Sequence, residues 1–156
     1  PPNQEPEMPQ EADALDTRVR RLEDLDEIRQ LAIDYKVALD GKDNAAYAAL
    51  FAADGTLWCT PELQATGRGA IKELVDGMSG GLLTVQVGTD FHAVANHRIV
   101  LDGDTAHGEA TWLYFVIGDD GAPQLSKVGH YTDDYVREDG RWRLQRREAV
   151  TDVPVA

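Results

Sequence analysis

The sequence contains a single cysteine, Cys59, and few basic residues, and each scarcity excludes a class of protein. One cysteine cannot form a disulfide within the chain, so a disulfide-stapled scaffold is excluded. Lysine and arginine together number 15 against 28 aspartates and glutamates, which gives a formal net charge of −13. Binding to a phosphate backbone needs clustered positive charge, so we expect no nucleic-acid partner.

Long apolar runs and signal patterns are missing as well. No apolar stretch approaches the roughly 18 residues that a membrane helix needs, so we expect no membrane partner. The start of the chain lacks a basic-then-apolar signal pattern, and we expect a cytoplasmic protein. The 156 residues, 42% of them hydrophobic, suffice for one domain with a real core, which we assign to residues 14–156. Residues 1–13 are rich in Pro, Glu and Gln and predict a mobile acidic tail.

Common motifs for nucleotide, nucleophile and metal chemistry are also absent. The glycines at 67–69 and 79–81 mark helix boundaries and match neither GxGxxG nor a phosphate-binding loop, and no GxSxG occurs. Of the four histidines, only His92 falls on a strand face predicted to point inward, and no HxH or HExxH spacing occurs. We therefore expect no metal and no cofactor.

The segment from Leu25 to Asp43 carries the strongest helical pattern. Apolar residues recur at helical spacing as far as Leu39, and Gly41 follows them, which predicts that the helix ends at Asp40. A carboxylate at this end meets the negative pole of the helix dipole, where a cation such as a protonated histidine would stabilise it. We interpret Asp40 as the group that orients and charge-balances a catalytic base, His92.

Helical patterns come first in the chain and strand patterns afterwards. The segment from Leu15 to Leu25 either begins the long helix or forms a short helix before it. A helix over 45–53 capped by Asp43 or Asn44, a turn at 54–55, a strand over 56–60 and a third helix between the glycines follow. Four β-rich runs end the chain, at 89–101, 105–117, 125–137 and 141–150. This order predicts an α+β fold whose N-terminal helices pack on a curved, mainly antiparallel sheet that encloses a pocket.

Strand alternation predicts which side chains enter the pocket. On the second long run we expect the inward face to carry Ala106, Gly108, Ala110, Trp112 and Tyr114. On the first run His92, Val94 and Asn96 share a face, and His97 lies off it. On the third run Tyr131 points inward, whereas Tyr135 is assigned to the outer face, where it suggests self-association. On the last run, alternation from Trp142 and Leu144 favours Arg146 over Arg147.

Three segments resemble the SnoaL-like branch of the NTF2-like superfamily, which contains scytalone dehydratase, lindane dehydrochlorinase and bile-acid 7α-dehydratase. The segments read IRQLAIDYKVALDGKD, DFHAVANHRIVLDGDTAHG and GHYTDDYVREDGRW. The resemblance covers roughly residues 22–150 and implies the superfamily's cone of helices on a curved sheet. It also implies homodimers or homotrimers.

By position, the resemblance implies a catalytic histidine at His92, at the start of an H-x-x-x-N stretch, and a catalytic aspartate at Asp40. The polar residue five before that aspartate corresponds to Tyr35, which we include among the catalytic residues. The resemblance and the strand faces together predict substrate contacts at Tyr114, Tyr131, Trp112, Cys59, Asn96 and Arg147. A pocket tyrosine of the relatives falls near Cys59, and a second catalytic histidine falls near Val116, so the scytalone reaction itself is not indicated.

These features predict a cofactor-independent lyase, either a dehydratase or an enzyme of related elimination or retro-aldol cleavage. The substrate would be a hydrophobic hydroxylated molecule with aromatic or polycyclic character. His92 would abstract a proton while Asp40 fixes its tautomer, and tyrosines would stabilise a leaving oxygen or an enolate. The alternatives are an isomerase or cyclase that uses the same pair, and a non-catalytic small-molecule-binding domain of the same fold.

Overall fold

Three helices precede most of the sheet in the computed structural model, which describes residues 9–81 and 90–154. They are α1 (Pro9–Asp40), α2 (Asn44–Ala49) and α3 (Arg68–Gly81). The segment from Leu15 to Leu25 is thus part of one long helix. Residues 9–13, which were assigned to the mobile tail, form the start of α1, and the rest of that tail, residues 1–8, lies outside the described ranges. None of the described helices is both long and apolar enough to cross a membrane.

The long helix buries one stripe of its surface and ends where the sequence predicted. Its fully buried stripe consists of Ile28, Leu31, Ala32, Tyr35 and Ala38. Beyond Asp40 the chain closes with hydrogen bonds from the Lys42 amide to the Leu39 carbonyl (3.2 Å) and from the Asp43 amide to the Ala38 carbonyl (2.9 Å).

This pair of bonds is a Schellman cap, and it places Lys42 in the left-handed region at φ 58°. Asp43 then caps α2 by accepting a hydrogen bond from the Ala46 amide at 2.9 Å, which confirms one of the two predicted N-caps.

Six strands form a single curved and unclosed sheet. They are β1 (Phe51–Thr60), β2 (Leu63–Thr66), β3 (Asp90–Asp102), β4 (Thr105–Ile117), β5 (Pro123–Glu138) and β6 (Arg141–Pro154). Their order across the sheet is β2-β1-β6-β5-β4-β3. Only the β1–β6 pair is parallel among the described strands. Helices first and an antiparallel meander after them confirm the predicted α+β class.

The first strand is longer than its pattern suggested. Phe51 was assigned to a helix over 45–53, but α2 ends at Ala49, and Phe51 pairs with Leu144 of β6. The turn predicted at 54–55 is an irregularity inside β1, where the register with β6 shifts between Phe51 and Thr56. Pairing with a strand distant in sequence overrides the local helical pattern here.

A β-bulge in β3 changes which side chains face the core. The register with β4 shifts between Ala95 and Arg98, and Asn96 adopts φ 55°, a left-handed conformation that Asn tolerates better than most residues. The extra residue leaves Asn96 exposed. His97, predicted to lie off the inward face, instead reaches inward, with its Nε2 atom 3.1 Å from the Tyr135 hydroxyl.

A second bulge decides which of the two neighbouring arginines of β6 faces the core. Asp134 pairs with Arg146 and Tyr135 pairs with Leu144, so one extra residue of β6 shifts the alternation between these pairs. The inward series therefore continues from Leu144 to Arg147, which is 1% exposed, and not to Arg146. Tyr135 was assigned to the outer face but is 2% exposed, so it offers no surface for self-association.

The inward face of β4 follows the prediction. Every second residue from Ala106 to Tyr114 is buried. Gly129 of β5 lies directly opposite Trp112, and a Cβ atom at this glycine would fall 2.2 Å from the indole ring and 2.1 Å from the Val150 carbonyl oxygen. The glycine thus provides the space that the Trp112 ring occupies.

Candidate active site

A cavity of about 480 Å³ opens between the helices and the inward face of the sheet. Most of its surface is apolar or aromatic. The polar, titratable and aromatic side chains of the lining include Tyr35, Lys42, Tyr47, Cys59, Asp90, His92, Trp112, Tyr114 and Tyr131. Ligand sites are usually concave, largely apolar and of this size, with a few polar groups that fix orientation.

His92 and Asp40 are in direct contact at one wall of the cavity. The Nδ1 atom of His92 lies 2.8 Å from Asp40 Oδ1. An ionised carboxylate can only accept hydrogen bonds, so Nδ1 carries the proton, and Nε2 of the neutral ring keeps its lone pair. No described residue forms a hydrogen bond with Nε2. His92 lines the cavity, whereas Asp40 touches it only through the imidazole.

Further contacts hold the Asp40 carboxylate in place. The backbone amide of His92 donates to both of its oxygens, at 3.2 and 3.1 Å. The ammonium group of Lys36, one turn earlier in α1, lies 3.0 Å from Oδ2. This cation offsets the unfavourable helix-end position of the carboxylate. The arrangement fixes the tautomer of His92 and places a negative charge beside any imidazolium that forms.

Two further tyrosines of the cavity lining, Tyr35 and Tyr131, carry hydroxyl groups that could contact a ligand. The Tyr47 and Tyr35 hydroxyls lie 2.5 Å apart and share a hydrogen bond, so one of their two protons is engaged and the other can be donated to a ligand. The Tyr131 hydroxyl has no hydrogen-bond partner among the described residues. Burial raises the pKa of both Tyr35 and Tyr131 well above the usual value, against the opposing effect of Arg147. Both hydroxyls therefore stay protonated and can act as donors.

Arg147 supports these tyrosines from outside the cavity. Its guanidinium lies 4.1 Å from the ring centroid of Tyr35 and 4.0 Å from that of Tyr131. It forms a two-pronged ion pair with Asp133, with Nε to Oδ1 at 2.8 Å and NH2 to Oδ2 at 2.6 Å. Burial disfavours the guanidinium charge, but Asp133 outweighs burial and holds the Arg147 pKa well above its usual value. Arg147 was predicted to contact substrate, and the structure places it behind the aromatic lining instead.

Asn96 lies outside the cavity as well. It borders a shallow depression on the outer face of the sheet together with Arg98, Glu109 and His130. Asn96 faces outward because the bulge in β3 reverses the inward and outward alternation that begins at His92 and turns His97 inward instead. A substrate contact at Asn96 has no support from this position.

The other predicted contacts lie in the cavity lining. The Trp112 and Tyr114 rings flank His92, with centroids 6.4 and 4.7 Å from that of the imidazole. Cys59 is half-buried, and burial raises the pKa of its thiol to about 11. In the described parts of the chain, no three His, Cys, Asp or Glu side chains come together as a metal site would require.

Sequence reasoning missed a charged group in the same cavity. Asp90 is 7% exposed and accepts a hydrogen bond of 2.8 Å from the Tyr114 hydroxyl, so Tyr114 is already engaged as a donor. Burial and this contact with Asp90 raise the Tyr114 pKa. Lys42 approaches the same carboxylate, with Nζ 3.9 Å from Oδ2. Strand alternation could have found Asp90, since it lies two residues before His92 on the same face.

Comparison with known proteins places the chain in a family. A family model described as a SnoaL-like domain matches residues 20–148. An NTF2-like protein with a cystatin-like fold from Novosphingobium aromaticivorans is similar to this chain, with a TM-score of 0.79 and 29% identity over 91% of this chain and 90% of its own. The NTF2-like fold predicted from the sequence is thereby confirmed.

Enzymes are among the other similar structures. A protein of N. aromaticivorans that is provisionally assigned as a scytalone dehydratase has a TM-score of 0.70 and 25% identity, covering 86% of this chain and 88% of its own. LinA has a TM-score of 0.74 and 22% identity over 89% of this chain and 94% of its own, a likeness of fold alone. No curated protein matches the chain in sequence.

Proposed function

The chain belongs to the SnoaL-like domain family, and from that premise we propose that it is a cofactor-independent lyase. Its reaction would be the loss of water or another small leaving group, or a related retro-aldol cleavage, from a hydrophobic hydroxylated ring compound. The observation that carries this proposal is the 2.8 Å contact between His92 Nδ1 and Asp40, on the wall of an apolar cavity.

The proposed reaction begins with proton abstraction. Nε2 of His92 takes a proton from a substrate carbon next to an electron-withdrawing group, and the resulting imidazolium is stabilised by Asp40. The Tyr131 hydroxyl proton, and the proton that the hydrogen bond between Tyr35 and Tyr47 leaves free, are available to the oxygen on which negative charge develops. The same imidazolium can then return its proton to the leaving oxygen, so the protein ends the cycle unchanged. The proton therefore needs no carrier other than these side chains.

The lining supports a ring-containing substrate. Aromatic side chains dominate the wall around His92, and their faces favour flat or polycyclic partners. A volume of about 480 Å³ accommodates a molecule of a few fused rings. The surrounding apolar surface also excludes water, which strengthens the electrostatic interactions of the His92–Asp40 pair.

A substrate panel with matched variants tests the proposal. Wild-type protein and His92→Ala are incubated with hydroxylated aromatic and steroidal compounds, without added metal or cofactor, and substrate mass is followed by mass spectrometry. The matched control is His130→Ala, because His130 forms a similar pair with Asp152 at 2.8 Å, on side chains that are 44% exposed. We expect His92→Ala to lose roughly 10²–10⁴-fold in rate, the usual contribution of a general base. His130→Ala should keep its rate.

Two outcomes would contradict the lyase. Full activity in His92→Ala would exclude proton abstraction by this histidine. Ligand binding without any mass change would favour the isomerase or the non-catalytic binder, and hydrogen exchange of the bound ligand in deuterated water would separate those two. Exchange that depends on His92 indicates an isomerase, and its absence indicates a binder.

A further inference from the structure

The Asp90 carboxylate in the cavity has too few hydrogen-bond donors for its burial. Its side chain is 2% exposed. Oδ2 receives the Tyr114 hydroxyl, and Oδ1 has no partner among the described residues. A buried carboxylate is ordinarily stabilised by two or three donors, and an unsatisfied one is costly. At least one donor is therefore missing among the residues that the structure describes around this site.

Lys42 faces the same carboxylate but does not satisfy it. Nζ lies 3.9 Å from Asp90 Oδ2, which is beyond hydrogen-bond distance. Lys42 also occupies the left-handed position of the Schellman cap at φ 58°, where glycine is the preferred residue and a lysine is strained. Helix capping alone would favour glycine at this position. The backbone therefore does not account for a lysine here, and the feature that remains is its side chain, which lines the cavity.

We propose that Asp90 and Lys42 form a polar subsite that binds a hydroxyl group of the substrate. The open oxygen is Oδ1, and Lys42 Nζ lies 3.9 Å from the other oxygen of the same carboxylate, so a ligand oxygen beside Oδ1 is also within reach of the flexible ammonium group. A hydroxyl in that position donates to the carboxylate and accepts from the ammonium, so it supplies what each lacks. An ether or ketone oxygen could only accept, and it would leave Asp90 without its donor. The subsite therefore selects a phenol or alcohol over its methyl ether.

The position of the subsite relates it to the proposed chemistry. Asp90 and His92 are alternate residues on one face of β3, so their Cα atoms are roughly 6.6 Å apart. A ring that lies along the strand can place a hydroxyl at Asp90 and a carbon near Nε2 of His92. This inference rests on the proposed function, because it takes the cavity as the substrate site. It adds that the hydroxyl bound by Asp90 and Lys42 serves to recognise the substrate.

Binding of matched ligands tests the subsite without requiring turnover. The probes are 2-naphthol with its methyl ether and 1-tetralol with its methyl ether, measured by isothermal titration calorimetry. The proteins are wild type, Asp90→Asn and Lys42→Gly. Lys72→Met is the control, because Lys72 forms an ion pair with Asp76 on α3 at 2.6 Å with both side chains largely exposed.

We expect wild type and Lys72→Met to bind at least one alcohol roughly 10- to 100-fold more tightly than its ether, the range for a hydrogen bond to a charged group. Asp90→Asn and Lys42→Gly should reduce that ratio to within about threefold of unity. Lys42→Gly relieves the strained cap but also removes a cation 3.9 Å from the buried Asp90 carboxylate, and because these effects oppose each other its Tm should stay within about 4 °C of wild type. A purely structural lysine would not combine lost discrimination with retained stability.

The subsite and the lyase can fail separately. Equal binding of alcohols and ethers by wild type, or no binding of either, overturns the subsite. So does discrimination that survives in both Asp90→Asn and Lys42→Gly. A protein that discriminates through these residues, yet shows no His92-dependent mass change, retains the subsite and rejects only the lyase.

Discussion

Replacing Asp133 by asparagine removes the partner of a buried arginine and should destabilise the protein strongly. Asp133 is 0% and Arg147 1% exposed, so solvent cannot replace the lost carboxylate. The substitution removes the negative charge that Arg147 contacts at 2.8 and 2.6 Å. It also places the N–H donors of the asparagine amide against the N–H donors of the guanidinium. Breaking a buried pair by removing one member costs about 3–5 kcal/mol. For a domain of this size the loss corresponds to a decrease in Tm of about 6–20 °C.

The adjacent residue provides the matched control. Asp134 points to the outer face and pairs with His107 at 3.0 Å, with both side chains more than half exposed. Asp134→Asn makes the same chemical change one residue away and should shift Tm by no more than about 2–4 °C. Scanning calorimetry of both variants measures the contrast. If the Tm of Asp133→Asn also falls by no more than about 2–4 °C, the buried pair does not stabilise the fold.

Two smaller predictions concern Cys59 in the cavity lining and Gly129 behind the Trp112 ring. Because burial raises the Cys59 pKa to about 11, its thiolate fraction at pH 8 should be roughly 100-fold below that of an ordinary thiol. Its alkylation should therefore be slow at pH 8 and accelerate as the pH rises towards 11, and reaction at the rate of a free thiol would contradict this. Gly129→Ala should cost more than about 3 kcal/mol or prevent folding, because its Cβ would overlap the Trp112 ring at 2.2 Å. Gly77→Ala in α3, where nothing lies within 4 Å, should instead raise stability by about 0.5–1 kcal/mol in urea unfolding.

Features with local causes could be predicted from the sequence. The end of α1 at Asp40 follows from its apolar spacing and from Gly41, and the cap of α2 follows from Asp43. The four long strands follow from alternation between turn sequences, since their hairpins join neighbours in the chain. The inward positions of Trp112 and Tyr131 follow from the same alternation.

The errors at Asn96 and at the two arginines of β6 share a physical cause. A bulge adds one residue to a strand, and nothing in the alternation of residue types marks where it occurs. Asn96 was misplaced, and Arg146 was favoured over Arg147, because strict alternation was extended through a bulge. Tyr135 was misplaced for another reason, since alternation from Tyr131 correctly predicts that it points inward. The left-handed conformation of Asn96 is one that asparagine tolerates well, so asparagine within a strand pattern was the available signal. The ion pair of Arg147 with Asp133 depends on contacts between distant strands, which local patterns do not encode.

The pairing of Asp40 with His92 also follows from the place of β3 at the edge of the sheet. An edge strand has backbone amides with no partner strand, and such amides invite pairing with another chain. Asp40 accepts the edge amide of His92 at 3.2 and 3.1 Å, and it accepts the imidazole proton of the same residue at 2.8 Å. One carboxylate thus covers the edge and orients the proposed base.

Two substitutions of Asp40 should separate these roles. Asp40→Asn keeps an amide oxygen that can accept the backbone amide of His92, but it removes the charge beside the imidazolium. We expect Tm close to wild type and a decrease in rate of at least about tenfold, measured on whichever substrate the panel identifies. Asp40→Ala removes both contacts, so it should lose stability as well, by about 1–3 kcal/mol for the unsatisfied amide. An Asn variant with the wild-type rate would show that the carboxylate covers the edge but does not assist the base.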